Sequence, residues 1–133
     1  MIKKLLCIDD DSTTLMLIKM VIEKASFAKE VVTAMNGKEA LQYYNDLLND
    51  TAEKKADYPG LIFLDLNMPV MNGWEFLDEF VNNLLPHFPT TKVVILSSSA
   101  NPVDKEKAKQ YSIIIGYISK PITADLLKML VKK

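Results

Sequence analysis

Cysteine occurs once in the chain, at Cys7, so no disulfide can form within it. Cys7 lies inside an apolar strand pattern, where a free cysteine behaves as a small hydrophobe, and it is assigned to the core. Histidine is as scarce: His87 stands between Pro86 and Phe88 in a predicted loop and is set aside. An excess of one charge is missing too. Sixteen basic against seventeen acidic residues leave a net charge of −1, which offers no strong field to nucleic acid or an anionic membrane. The apolar runs fall far short of the roughly 20 residues needed to cross a bilayer, and Met1 to Leu6 lacks a signal peptide's extended apolar region. These absences predict a cytoplasmic protein that touches neither membrane nor DNA directly.

What is present is an ordinary globular composition, 49% apolar and 25% charged, in 133 residues. That length suits one domain over residues 1–133 and leaves no room for a second. Strand and helix signals alternate five times, which predicts a parallel sheet covered by helices on both faces. The first strand is expected over 3–8, followed by the acids Asp9, Asp10 and Asp11, with Ser12 as the helix cap and Leu15, Ile18, Ile22 and Ala25 at helical spacing. A second strand is expected over 30–34 and a second helix with Ala40, Leu41, Tyr44, Leu47 and Leu48 inward. Residues 49–59 are polar and read as a surface loop. A third strand is expected over 60–65, where the unbroken apolar run 61–64 suits a central strand and leads straight into Asp65, then Pro69 and Asn72-Gly73. A third helix follows with Trp74, Leu77, Phe80, Val81 and Leu84 on one face and ends before Pro86, Trp74 and Phe80 being read as core. Residues 92–97 form the fourth strand, Asn101-Pro102 reads as cap and first helical residue of a short, charged, loosely packed helix to about Tyr111, and the last strand ends in Tyr117-Ile118-Ser119-Lys120 before Pro121. The final helix starts near Thr123 and points Leu126, Leu127 and Leu130 inward.

Parallel topology brings the strand ends to one edge, the edge where open α/β sheets bind ligands. Asp9, Asp10, Asp65, Ser97 and Lys120 stand there. Neighbouring strands are about 4.8 Å apart, so carboxylates on adjacent strands can share one ion. Three carboxylates against one lysine leave negative charge uncompensated, and a divalent cation compensates it. With no His or Cys at these ends, an all-oxygen set suits Mg2+ rather than zinc.

Four pieces in this order, Ile-Asp-Asp at 8–10, Leu-Asp-Leu-Asn-Met-Pro with Asn-Gly at 64–73, Ser97 with Ser98, and Tyr-Ile-Ser-Lys-Pro at 117–121, make the chain resemble the receiver domain of two-component response regulators, of the stand-alone chemotaxis type. The resemblance implies a flavodoxin-like five-stranded sheet of order 2-1-3-4-5 with five helices and a cis Lys120-Pro121 peptide. It implies that Asp65 is the phosphoacceptor and that Asp10, Asp65 and the backbone carbonyl of Asn67 hold Mg2+, with Asp9 helping through water. Ser97 and Lys120 would bind the phosphoryl oxygens, and Ser97 with Tyr117 would form the switch. Asn67 and Ser99 would flank the path of attacking water. Asp11 departs from any requirement of the motif and reads as a solvated residue near the first helix's positive end. Ile122 stands where the family often has an aromatic residue.

The function expected is that of a phosphorylated signalling protein and not of a turnover enzyme, served by a sensor histidine kinase or a histidine phosphotransfer protein. Because little follows Lys120-Pro121, no output domain is expected, and the signal should leave through the 102–133 face to a protein partner or to a second copy. Two rivals differ in class. A haloacid-dehalogenase-like phosphatase needs a second acid two residues after the nucleophile, and that position is Asn67; a phosphorylation-independent module on the same fold usually lacks one of the site residues retained here.

Overall fold

The computed structural model describes residues 2–50, 57–98 and 101–131. Five parallel strands, β1 (Ile2–Ile8), β2 (Ala28–Ala34), β3 (Leu61–Leu64), β4 (Lys92–Ser97) and β5 (Ile114–Ser119), lie in the order β2-β1-β3-β4-β5. The helices are α1 (Ser12–Lys24), α2 (Gly37–Leu48), α3 (Gly73–Glu79), α4 (Pro102–Ala108) and α5 (Ala124–Val131). Architecture and strand order are those expected of a flavodoxin-like receiver.

Alternation along the strands builds two cores. Leu6 and Ile8 of β1 join Ile62, Leu64, Val93 and Ile95 beneath Tyr44 of α2, Phe76 and Leu77 of α3, and Phe80 just beyond α3. Leu5 and Cys7 join Phe63, Val94 and Leu96 beneath Leu15, Ile18 and Ile22 of α1 and Leu127 of α5. The central strands β1, β3 and β4 are thus buried on both faces, which is why they read as continuous apolar runs. Cys7 is core, and burial pushes its thiol far up.

Several local expectations are corrected. Asp11, not Ser12, caps α1: its carboxylate accepts from the N–H groups of Thr13 and Thr14, and Ser12 is the first helical residue. Trp74 is half-buried, and Phe76 takes the core position, because a helix starting at Gly73 turns residues 76, 77 and 80 toward the sheet. After Glu79 the chain does not stop before Pro86 but passes through a π-helical turn, Phe80–Leu84, and a 3-10 turn, Leu85–His87, that holds Pro86 and His87. Helix α4 ends at Ala108, its one buried residue. Residues 51–56 of the expected loop, and Lys132 and Lys133, lie outside the described residues.

Candidate functional site

β1 and β3 are neighbours, yet α1 covers one face after β1 and α3 the other after β3. The chain parts at their C-terminal ends, and this divergence opens a crevice. Asp9 and Asp10 follow β1 there, and Asp65 follows β3, its N–H donating to the carbonyl of Ile8 at 2.9 Å. Side-chain oxygens of Asp9, Asp10 and Asp65 all lie within 4.8 Å of one another. Asp9 and Asp65 are buried and Asp10 is exposed.

Lys120 reaches the same point from the end of β5. Its Nζ donates to Asp9 Oδ2 at 2.5 Å and stands 3.7 Å from Asp65 Oδ1. The N–H of Lys120 donates to the carbonyl of Ser97 at 2.8 Å, so the ends of β4 and β5 are tied together, and the Lys120-Pro121 peptide is cis. Asp9 Oδ1 also accepts from the N–H of Asp11 at 3.0 Å. Burial pushes the Asp65 carboxyl up; the ammonium of Lys120 opposes this, the charge of Asp9 adds to it, the N–H of Asn67 opposes it, and the charge of Asp10 adds to it. The donor set fits a hard cation: three carboxylates, no nitrogen or sulfur, and an exposed member that gives access from solvent. The acidic pocket can therefore hold a metal ion.

The other predicted residues fall around this centre. Ser97 is fully buried at the end of β4. Tyr117 is half-buried on β5, paired in register with Ile95, and Lys105 Nζ lies 5.7 Å from its ring centroid. Asn67 is exposed, and Ile122 is buried against the α1 face. Ser99 lies outside the described residues.

Sequence reasoning missed a structural role for Gly73. A Cβ on it would stand 2.6 Å from the backbone oxygen of Asp65 and 2.9 Å from Cα of Leu66. Its N–H donates to the carbonyl of Leu66 at 3.0 Å, so the start of α3 is packed directly on the chain carrying Asp65. The signal was present in Asn72-Gly73 followed by Glu75, which forms a capping box as well as a turn. Val70 in the same loop has φ 69°, a left-handed conformation unusual for a β-branched residue.

The same architecture recurs in known proteins. A two component response regulator from Cytophaga hutchinsonii matches with a TM-score of 0.87 at 33% identity, covering 98% of this chain and 95% of that one. Protein PilG of Pseudomonas aeruginosa is 29% identical over 127 residues, 93% of this chain and 81% of PilG. A probable cyclic di-GMP phosphodiesterase of Vibrio cholerae is 34% identical over 74 residues, and the matched part spans 16% of that protein's length. The response regulator receiver domain model matches residues 5–132. With that match running from β1 through α5, the chain belongs to the receiver-domain family of response regulators.

Proposed function

We propose that Asp65 accepts a phosphoryl group from a phosphohistidine on a sensor histidine kinase or histidine phosphotransfer protein, and that the acyl phosphate alters the receiver's protein contacts. The observation that carries this reading is the meeting of Asp9, Asp10 and Asp65 within 4.8 Å, with Lys120 3.7 Å from Asp65. A carboxylate oxygen of Asp65 attacks phosphorus. The bond to the donor imidazole breaks, its electron pair stays on the imidazole nitrogen, and an acyl phosphate remains on Asp65. Lys120 leaves Asp9 for the incoming phosphoryl oxygens, and Ser97 closes on them by a short inward shift of its strand end. Mg2+ would be held by Asp10, Asp65 and the backbone carbonyl of Asn67, with Asp9 assisting through water; when bound it supplies positive charge beside the transferring group.

Ser97 and Tyr117 form the switch in this reading, since both lie on the strands that end at the site. The output face is α4, β5 and α5, where Val103, Ile115 and Met129 are exposed apolar side chains suited to a protein partner or a second copy. Among the described residues no helix is long and apolar enough to cross a membrane. The domain is a phosphoacceptor and not a turnover enzyme, its only chemistry being its own phosphorylation and dephosphorylation.

Mass spectrometry after incubation with acetyl phosphate and Mg2+ tests the reading. One added phosphoryl group in the wild type and none in Asp65→Asn is expected. Continuous hydrolysis with no phosphoprotein would favour the phosphatase alternative, and no reaction would favour a phosphorylation-independent module.

A further inference from the structure

The chain's single tryptophan is gripped by α4. The Trp74 ring stacks on Tyr111, centroids 5.7 Å apart and planes 27° from parallel. Its Nε1 donates to Asp104 Oδ1 at 3.3 Å, and Lys107 Nζ lies 4.7 Å from the ring centroid. Tyr111 returns the connection: its hydroxyl donates to Asp78 Oδ1 on α3 at 2.6 Å, and burial followed by the bond to Asp78 pushes the phenol up to about 12. Helix α3 is thereby bonded both to α4, through Asp104, and to the segment that follows α4, through Tyr111. Since Ala108 is the only buried residue of α4, these polar and aromatic contacts hold the helix where apolar packing is thin.

The two ends of this cluster lead to the acidic pocket by different routes. Trp74 adjoins Gly73, whose backbone packs on Asp65 and Leu66. Asp104 and Lys107 belong to α4, whose cap Asn101 is separated from Ser97 by three residues of sequence. Lys105 on the same helix lies over Tyr117. In the phosphoacceptor reading, drawing the end of β4 inward would shift α4 relative to Trp74.

We infer that Trp74 is a positioning residue: it latches α4 in the arrangement in which Lys120 pairs with Asp9, and an acyl phosphate on Asp65 releases that latch. The inference rests on the phosphoacceptor reading above. Its contacts suit the task, because a cation over a ring, a stack and a partly exposed hydrogen bond can be exchanged for water without opening either core. Coupling between two states is reciprocal. A latch made in one state only must weaken phosphoryl binding by the same factor by which phosphoryl binding weakens the latch.

Beryllofluoride, a mimic of the phosphoryl group, gives the test on the full chain with Mg2+ present. In the wild type, tryptophan emission should change as beryllofluoride saturates the site, because the indole exchanges Asp104 for water; Trp74 is the only source of that signal. Asp104→Ala, which removes the acceptor of the indole hydrogen bond, and Trp74→Ala should bind beryllofluoride about fivefold more tightly than wild type, with Trp74→Phe in between because it keeps a ring to stack. Amide chemical shifts of Ser97 and Tyr117 report occupancy independently. Unchanged emission at full occupancy, or affinities of Asp104→Ala equal to or weaker than wild type, would overturn the latch and leave the phosphoacceptor reading intact. No beryllofluoride binding by the wild type would bring down both.

Discussion

Lys120 is bonded to Asp9 at 2.5 Å and stands farther, at 3.7 Å, from Asp65. Both carboxylates are buried, so the ammonium group balances charge that solvent screens poorly. Lys120→Ala leaves Asp9 buried with the N–H of Asp11 as its one remaining donor among the described residues, and a loss of about 3 kcal/mol in urea unfolding at pH 7 is expected. Adding Asp9→Ala should restore part of it. A double variant no more stable than Lys120→Ala would refute the pairing as the cause. With beryllofluoride, the chemical-shift response at Ser97 and Tyr117 should also shrink in Lys120→Ala.

Asp65 titrates higher in the folded chain than the ordinary aspartate value of 3.8, burial being the leading cause. Between the unfolded and folded values the native state binds more protons, so stability falls as pH rises through that window. Above it the ionised carboxylate imposes a constant cost, and below 3.8 the cost is gone. In chelator, Asp65→Asn should melt above wild type at pH 7, with the gain vanishing as pH approaches 3.8. Thermal melts across pH 3 to 8 check the sign.

Mg2+ should raise the wild-type unfolding free energy by mass action, by about 2.7 kcal/mol at a hundredfold excess over its dissociation constant. Asp10→Ala removes an exposed carboxylate from the cluster and should lose most of that gain, while in chelator it should be no less stable than wild type because the charge of Asp10 opposes ionisation of Asp65. Calorimetric melts with Mg2+ and with EDTA decide it; equal Mg2+ shifts in both proteins would remove Asp10 from the ligand set.

Gly73→Ala places a methyl group 2.6 Å from a backbone oxygen and 2.9 Å from a backbone Cα, neither of which can rotate away. Destabilisation of about 1 to 3 kcal/mol is expected, together with slower phosphorylation by acetyl phosphate as the Asp65 segment shifts. Gly60→Ala, whose Cβ would meet nothing within 4 Å, is the control and should change neither quantity.

Val70 is 75% exposed at φ 69°, so its left-handed backbone is not offset by burial. Val70→Asn should stabilise the protein by about 1 kcal/mol, since asparagine tolerates that region and valine does not. Denaturant titration showing a less stable Val70→Asn would mean that the valine makes compensating contacts.

Much of the site was legible because strands end where apolar runs end. The run 61–64 stops at Asp65 and the first strand stops at Asp9, and in a parallel sheet such ends share one edge whatever the details of packing. Order and spacing of the motifs around Asp65 and Lys120 then sufficed to identify the family that the match over residues 5–132 bears out. Local chemistry alone also marked Asn101-Pro102 as cap and first helical residue.

Partner choice was decided only by the tertiary structure. Asp9 and Lys120 are 111 residues apart in the chain, and no spacing rule tells which of three acids a lysine will meet when all lie within a few ångströms of one another. Asp11 took the cap from Ser12 because its carboxylate reaches two N–H groups at the start of α1. Trp74, apolar and in phase by its spacing, came to lie between α3 and α4, where Asp104 and Lys107 hold it. Periodicity reports which side of an element a residue faces, a property of the chain itself; contacts between elements depend on ångström-scale placement of whole helices, which only the packed cores determine.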